Sequence, residues 1–206
     1  MIRHRHILTH VLALLVLLPA AALAARYETI EGPRVGDDPE TIEVIEFFWY
    51  GCPHCYRFSP HVERWKRSKP EDVSFQHMPA ILSPRWELHA KAFFAARIMN
   101  ELDRFHPAMF AAIHEDNMRL DSVTGIGDFV SSLGIDSERF VATMKSFAVD
   151  TRVRRVKNLQ RAYGISGTPT VVIDGRYRTS GNIAGGVANM IPVINERIAA
   201  IRADAG

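Results

Sequence analysis

The sequence predicts an α/β protein in which an all-helical segment interrupts an α/β lobe. Three observations support this fold class. Residues up to 83 follow a strand–helix–strand pattern, and the periodicity of amphipathic helices dominates from Pro84 to Phe147. A helix, two short strands and a last helix follow, and they complete the interrupted lobe.

Residues 1–24 predict a cleaved signal peptide. Arg3 and Arg5 supply a basic start, 11–18 is an unbroken apolar run, and 22–24 form a small-residue cleavage signal. Left uncleaved, the apolar run would be a marginal anchor, because a membrane-spanning helix needs about 20 apolar residues. We therefore expect an exported, periplasmic protein. The chain after the leader suits one domain with an insertion, or two small lobes.

Charge gives no reason to expect a nucleic-acid ligand. The chain has a formal net charge of +2, and loss of residues 1–24 would bring it close to zero because Arg3 and Arg5 are removed. A basic run lies on the polar side of a predicted amphipathic helix, so we expect a solvated face there. That run consists of Arg152, Arg154, Arg155, Lys157 and Arg161.

The first part of the lobe begins with a short strand and a loop. Glycine and proline are frequent in 26–41, which is typical of loops. The apolar run 42–48 predicts a buried strand, and it leads into a helix at about 53–68. A second strand is predicted over 73–78, ended by Pro79.

The all-helical segment, 84–148, has apolar residues at helical spacing. Gly134 is a natural end for one of its helices, because glycine readily adopts the left-handed conformation found after a helix. Asp136 can cap the next helix, to whose apolar face we assign Phe140 and Phe147.

A long helix ended by Gly164 opens the last part of the chain. The run 170–173 predicts a strand, and Asp174-Gly175 is typical of the type I′ turn of a hairpin. The second hairpin strand is predicted over 176–179, and a final helix from about 185 to 202.

Cys52 and Cys55 are the only cysteines in the chain, and they lie where a predicted strand meets a predicted helix. Pro53 suits the first helical position, where its missing N–H would have no partner. Cys52 would then occupy a helix N-terminus, where unpaired N–H groups and the helix dipole stabilise a thiolate. His54 can add positive charge beside it. Because the thiolate attacks disulfides, we predict a reversible dithiol/disulfide centre.

A Cys-x-x-Cys pair can also serve as a structural disulfide, a metal site or a haem attachment site. A structural disulfide is an alternative, although two intervening residues close a very small loop. A zinc site would need a second ligand pair, and the remaining histidines have no spacing that suggests one. Covalent haem attachment is excluded, since it needs a histidine directly after the second cysteine, where this chain has Tyr56. We predict no metal site and no cofactor beyond the redox-active disulfide.

Two segments resemble the DsbA-type family of periplasmic thiol:disulfide oxidoreductases. The first is 46–56, which contains the Cys-Pro-His-Cys motif, and the second is the Gly-Thr-Pro-Thr stretch at 167–170. Cys-x-x-Cys alone would be a weak signal, whereas Cys-Pro-His-Cys is quite specific. The resemblance covers essentially the whole chain after the leader.

The resemblance implies a thioredoxin fold interrupted by an all-helical insertion. On this basis we divide the chain after the leader into three parts. The first, 25–83, carries the cysteine motif; the second, 84–148, is the insertion; and the third, 149–206, carries a cis-proline loop.

The resemblance also implies roles for the motif residues. Cys52 would be the exposed nucleophile, Cys55 the buried resolving thiol, and His54 the neighbour that stabilises the Cys52 thiolate, unless it is an ordinary surface histidine. Pro169 would be the family's cis-proline, which faces the disulfide and lets the backbone of Thr168 pair with an extended substrate segment. Thr168 stands where DsbA proteins more commonly have valine, and it adds a hydroxyl near the sulfurs.

Three residues before the motif are further candidates. Glu46 lies in an apolar strand, where an unpaired charge is costly. The resemblance implies that it lies beneath the disulfide and relays protons to Cys55, whereas strand alternation would instead turn it to solvent. Trp49 and Tyr50 flank the cysteines, so they either form an apolar substrate-contact surface or pack in the core.

The function predicted is donation of the Cys52–Cys55 disulfide to reduced exported proteins. A disulfide isomerase or reductase is the alternative within the same chemistry, and a non-catalytic holdase is the alternative from a different class. The chain has no flavin or nicotinamide motif, so the resemblance implies reoxidation by a quinone-linked inner-membrane protein of the DsbB type. We expect a monomer with no nucleic-acid partner.

Overall fold

The computed structural model describes residues 26–205, so the predicted signal peptide at 1–24 lies outside the described residues. The elements in chain order are β1 (Glu28–Thr29), β2 (Ile42–Phe48), α1 (Pro53–Ser68), β3 (Val73–Pro79), α2 (Pro84–Ile98), α3 (Leu102–His114), α4 (Val123–Ser132), α5 (Ser137–Met144), α6 (Phe147–Ala162), β4 (Thr170–Ile173), β5 (Tyr177–Ser180), a 3₁₀ turn (Val187–Asn189) and α7 (Met190–Ala205). The predicted α/β lobe with an all-helical insertion is confirmed.

The strands form one mixed sheet in the order β1-β5-β4-β2-β3. The β2–α1–β3 unit makes β2 and β3 parallel, whereas β4 runs antiparallel to β2 on its other side. The register places Glu46 opposite His77 on β3 and opposite Val171 on β4. β2 is therefore a central strand, and its carboxyl end carries the chain towards the cysteine motif.

An apolar core covers each face of the sheet. On one face, Ile45 and Phe47 pack with the helical insertion and α6, and on the other, Ile42 and Val44 pack with α1 and α7. All seven residues of β2 are buried, as its near-continuous apolar sequence predicts for a strand covered on both faces. Because β2 is packed on both faces, the position of its C-terminal end, which precedes Cys52, is fixed.

The predicted hairpin between β4 and β5 is confirmed. Asp174 and Gly175 have φ values of 52° and 66°, and the Arg176 amide donates to the Ile173 carbonyl at 3.0 Å. Two consecutive positive φ values define the type I′ turn. Because Arg176 closes the turn, β5 begins at Tyr177, one residue later than predicted.

The assignment of Phe147 to the apolar face of the helix with Phe140 was wrong. That helix ends at Met144, and Ser146 caps a new helix by accepting a hydrogen bond from the Val149 amide at 3.3 Å. Phe147 becomes the first residue of α6 and is 79% exposed. The cap, rather than the apolar spacing, decides where this helix begins.

The predicted start of the final helix at 185 was also wrong. Gly185 and Gly186 have φ values of 75° and 136°, which are incompatible with a right-handed helix. A 3₁₀ turn follows them, and α7 starts at Met190. Among the described residues, no helix combines the length and the apolar character needed to cross a membrane.

Candidate active site

The junction between β2 and α1 places Cys52 at the start of a helix. Cys52 is the residue before the first helical position, with φ −90° and ψ 114°, and Pro53 occupies that first position. The Tyr56 amide donates to the Cys52 carbonyl at 3.1 Å, which closes the first helical turn. The predicted arrangement, a sulfur beside the unpaired amides of a helix N-terminus, is therefore present.

The two thiols are free and differ in burial. Cys55 is 0% exposed and Cys52 is 8% exposed. Cys52 is the accessible one of the two, but it is far more covered than the expected exposed nucleophile. The cover comes from the loop at Thr168, whose carbonyl oxygen lies 3.3 Å from the Cys52 sulfur.

The environment of Cys52 favours its thiolate. The pKa of Cys52 is lowered to about 5, and the largest cause is a hydrogen bond from the Cys55 thiol. Hydrogen bonds from the Thr168 side chain and from the backbone amides of Cys55 and His54 lower the pKa further, whereas burial opposes the shift. Thr168 acts in two ways. Its carbonyl accepts from Cys52 only when Cys52 is a thiol, whereas its hydroxyl can donate to the thiolate.

The environment of Cys55 has the opposite effect. Burial, the hydrogen bond with Cys52 and the negative charges of Cys52 and Glu46 hold the pKa of Cys55 well above its usual range. At neutral pH the pair is therefore one thiolate and one thiol. This asymmetry suits a disulfide in which Cys52 is attacked and Cys55 is the buried partner.

The proline loop lies against the motif as the resemblance implied. The peptide bond between Thr168 and Pro169 is cis. The loop and the segment after β5 border a groove of about 560 Å³, whose lining includes His54, Asn182 and Val187. The sulfur of Cys52 lies 3.3 Å from the carbonyl oxygen of Thr168, which lines this groove, so a chain segment lying in the groove would pass close to Cys52.

The His54 side chain does not hold Cys52 in the way the sequence suggested. The ring is exposed, and its Nδ1 accepts a hydrogen bond from the Arg57 guanidinium at 2.8 Å. His54 reaches the Cys52 sulfur through its backbone amide instead. Arg57, three residues further along α1, therefore orients the histidine and brings a permanent positive charge to the start of the helix.

Glu46 is buried beneath the motif. Its exposure is 3%, so the alternative in which strand alternation turns it to solvent was wrong. Glu46 lies on the same face of β2 as Val44, which packs with α1, and its Oε2 accepts a hydrogen bond from Nδ1 of His77 at 2.9 Å. The negative charge of the Glu46 carboxylate is therefore close enough to raise the pKa of Cys55.

Trp49 and Tyr50 have different positions. Tyr50 is fully buried, and its hydroxyl is 2.9 Å from Nδ1 of His106, so it packs in the core and cannot contact a substrate. Trp49 is half-buried and stacks on Trp86 at 4.4 Å between ring centroids. Of the two, only Trp49 leaves part of its ring available at the surface.

The structure adds two residues that sequence reasoning did not assign to the site, Arg57 and His77. Arg57 follows His54 at helical spacing, which was a usable signal. No local signal in the sequence singles out His77 from the other histidines, because its contact with Glu46 depends on the strand register. Within residues 26–205, no group of three or more His, Cys, Asp or Glu side chains could hold a metal ion.

Comparison with known proteins gives a consistent result. A family model described as a DSBA-like thioredoxin domain matches residues 43–185. The thiol:disulfide interchange protein DsbA of Pseudomonas aeruginosa is 37% identical over 186 residues, which cover 87% of this chain and 88% of that protein. The DsbA of Azotobacter vinelandii is 40% identical over 155 residues, with 75% and 72% covered.

Solved structures extend the similarity to the fold. The crystal structure of Pseudomonas aeruginosa DsbA matches with a TM-score of 0.83 and 35% identity, covering 88% of this chain and 94% of that one. The oxidoreductase DsbA from Xylella fastidiosa matches with a TM-score of 0.80 and 30% identity, covering 86% and 96%. These matches include both the sheet and the helical insertion.

We expect Cys52 to titrate near pH 5 in the reduced protein, and Cys55→Ala to raise that value because it removes the strongest hydrogen bond to the sulfur. His54→Ala should change the pKa less, since the ring does not contact the sulfur. The ultraviolet absorbance of the thiolate, recorded as a function of pH, gives the pKa of Cys52 in the wild type and in both variants. An apparent pKa near the ordinary ~8.5 in the wild type would contradict the site described here.

We also expect the dithiol form to be more stable to denaturant than the disulfide form at neutral pH. A pKa lowered by folding stabilises the protein fully above the unfolded value of ~8.5, and this stabilisation is lost as the pH falls through about 5. The difference between the denaturant midpoints of the two forms should therefore shrink between these pH values. A disulfide form that is clearly more stable at neutral pH would refute the expectation.

Proposed function

This chain belongs to the DsbA-like thioredoxin family, and we propose that it donates its Cys52–Cys55 disulfide to reduced proteins exported to the periplasm. The chain is a thiol:disulfide oxidoreductase, as the membership of this family establishes. The fold is a thioredoxin fold interrupted by a helical insertion. What we propose beyond this family membership is the direction of exchange, the substrates and the partners.

The observation that carries the proposal is the asymmetry between the two thiols. The thiolate of Cys52 is stabilised only when the disulfide is open, because only then does the sulfur accept hydrogen bonds as an anion. A disulfide whose reduced form is stabilised in this way is readily reduced by its substrates. The protein therefore acts as an oxidant, rather than as a reductase.

The reaction proceeds in two exchanges. A substrate thiolate attacks the sulfur of Cys52, the bond between Cys52 and Cys55 breaks, and Cys55 leaves as a thiolate that takes up a proton. A second substrate thiolate then attacks the substrate sulfur of the mixed disulfide, and Cys52 leaves as a stable thiolate. The substrate gains one disulfide, and the enzyme retains both electrons as a thiolate and a thiol.

The direction of each exchange follows from the site. Attack is directed to Cys52 because Cys55 is buried. Cys52 is the better leaving group in the second exchange because its pKa is low. Glu46 supports the first exchange by supplying the proton that Cys55 takes up, and it removes that proton again when Cys55 attacks during reoxidation.

Substrates are recognised mainly through their backbone. An extended segment lies in the groove beside Thr168 and Pro169 and pairs with the backbone of residue 168, with its cysteine over Cys52. The exposed part of the Trp49 ring contributes apolar contact at the border of the motif. Recognition of this kind tolerates many sequences, as an enzyme acting on many exported proteins needs.

The catalytic cycle also requires export of the chain and reoxidation of its two cysteines. The leader at 1–24 directs the chain to the periplasm, where disulfides persist. The electrons leave through a quinone-linked inner-membrane protein of the DsbB type, which presents a cysteine on an extended segment to the same groove. The protein works as a monomer, with no cofactor other than its own disulfide.

The equilibrium with glutathione tests the direction of exchange. We expect the protein to remain mostly reduced until oxidised glutathione is in large excess, and the oxidised protein to transfer one disulfide to a reduced two-cysteine peptide. Cys52→Ser should abolish the transfer. A protein that stays oxidised in mildly reducing glutathione would be a reductase, and transfer that survives Cys52→Ser would support a binding role instead.

Glu46→Gln should slow the release of a mixed disulfide by Cys55 about a hundredfold or more, the low end of general acid–base catalysis. Glu43→Gln is the matched control, because Glu43 is a second buried acid of β2 and contacts the Val35 amide at 2.7 Å on the opposite face of the sheet. Rapid acid quenching after addition of oxidised glutathione measures the adduct. Equal rates in the two variants would remove Glu46 from the mechanism.

A further inference from the structure

A small cavity between α2 and α6 is lined by three arginines, Arg97, Arg152 and Arg155. Its volume is about 110 Å³, several times the ~10–15 Å³ that one water molecule needs. Arg97 lies in the last turn of α2, whereas Arg152 and Arg155 are neighbours on one side of α6 at helical spacing. Two adjacent helices therefore bring three permanent positive charges to one cavity.

Within the part of the chain that the structure describes, none of these three guanidiniums forms an ion pair with a carboxylate. Arg152 donates one hydrogen bond, to the Ala148 carbonyl at 3.1 Å. Arg155 also donates one, to the Val35 carbonyl at 3.2 Å. Because a guanidinium has five N–H donors, most of the donors remain for another partner.

The acidic side chains of the surrounding elements are engaged elsewhere. Glu43 on β2 is held by the same loop that contacts Arg155, but it accepts from the Val35 amide at 2.7 Å rather than from the arginine. Asp150 on α6 pairs with Lys91 at 2.9 Å. The positive charge of the cavity is therefore not compensated by these two carboxylates.

The three guanidiniums also repel one another. Burial and the charge of Arg152 lower the pKa of Arg97. The Arg97 guanidinium lies over the ring of Phe93, 5.3 Å from its centroid, which positions the side chain without neutralising its charge. An anion among the three guanidiniums would relieve this repulsion.

The cavity divides the basic run of α6 into two groups. Arg152 and Arg155 line the cavity, whereas Arg154 and Arg161 do not. The guanidiniums of Arg154 and Arg161 bond to side chains of their own helix and are exposed. The solvated face expected from the sequence therefore accounts for Arg154 and Arg161, but it leaves the convergence of Arg152 and Arg155 on Arg97 unexplained.

The rest of the lining indicates the kind of anion. Met78, Phe94 and Val156 are buried and apolar, and hydrogen bonds at the edge of such a surface are stronger than in bulk water. Guanidinium groups bind phosphate oxygens in pairs of parallel hydrogen bonds. A planar carboxylate has two oxygens, which one guanidinium can engage, whereas the tetrahedral oxygens of phosphate can engage guanidiniums on several sides.

We propose that this cavity binds a phosphate group, held by Arg97, Arg152 and Arg155, with the side-chain amide of Gln76 as a further donor. The phosphate group belongs either to a small soluble molecule or to the headgroup of an anionic phospholipid. Once bound, it links α2 to α6 and stabilises the folded protein in proportion to its occupancy. The cavity shares no lining residue with the groove beside the cis-proline, so phosphate binding and disulfide exchange are compatible.

Isothermal titration calorimetry of the oxidised protein with inorganic phosphate, at an ionic strength kept constant with chloride, tests the site. We expect saturable binding to one site. Arg152→Gln and Arg155→Gln should each weaken it about tenfold or more, because each removes a charge-assisted hydrogen bond. Arg154→Gln and Arg161→Gln are matched controls that remove the same charge from the same helix, and they should change the affinity by about twofold at most, because salt screens their charges.

Thermal unfolding separates ligand binding from a structural role of Arg152. Without phosphate, Arg152→Gln should unfold at the wild-type temperature or above it, because the charge that repels Arg97 is lost. With phosphate, the midpoint of the wild type should rise and that of Arg152→Gln should not. A variant that unfolds at a clearly lower temperature without phosphate, and still gains the full increase with it, would contradict the site.

Cosedimentation with vesicles of phosphatidylglycerol, compared with vesicles of phosphatidylcholine, distinguishes the two sources of the phosphate group. Binding to phosphatidylglycerol that is lost in Arg152→Gln and Arg155→Gln, but kept in Arg154→Gln and Arg161→Gln, assigns the site to a lipid headgroup. Saturable binding of inorganic phosphate without vesicle binding assigns it to a soluble molecule.

Two results would overturn the inference. One is the absence of binding both to inorganic phosphate and to anionic vesicles. The other is binding that weakens equally in all four arginine variants, because equal losses indicate a diffuse attraction to the basic face of α6 rather than a site.

Discussion

The hydrogen bond between the two thiols at the start of α1 is the interaction on which the rest of the site depends. It is the largest cause of the low pKa of Cys52, and it contributes to the high pKa of Cys55. The bond exists because the β2–α1 junction fixes one sulfur just before the helix and the other one turn inside it. The apolar packing on both faces of β2 holds that junction in place. The core of the protein therefore determines the acid strengths of the two thiols.

The second constraint is that a charged carboxylate, Glu46, is buried close to the buried thiol of Cys55. Glu46 is costly to bury alone, and His77 compensates by hydrogen bonding from the adjacent parallel strand. The same register that forms the sheet therefore also forms the buried ion pair. The groove at Thr168 and a second cavity, of about 400 Å³ beside Glu63 and His77, share no lining residue.

Much of this architecture could be predicted from the sequence, because the decisive signals were local. The apolar run of β2, Pro53 at the first helical position and the Asp174-Gly175 turn each specify their own backbone conformation. Predictions failed where a distant or competing contact decides the outcome. The insertion packs around Tyr50, the loop at Thr168 covers Cys52, and the Ser146 cap turns Phe147 outward. Apolar spacing and motif matching carry no information about such contacts.

The central claim is that the two sulfurs have opposite acid strengths in the same reduced protein. Site-resolved NMR of the ¹³Cβ shifts of Cys52 and Cys55 against pH tests it directly, because it assigns each titration to one residue. The account predicts that the Cys52 signal titrates near pH 5, while the Cys55 signal changes only at strongly alkaline pH. Titration of both signals together near the ordinary ~8.5, or of Cys55 before Cys52, would contradict it.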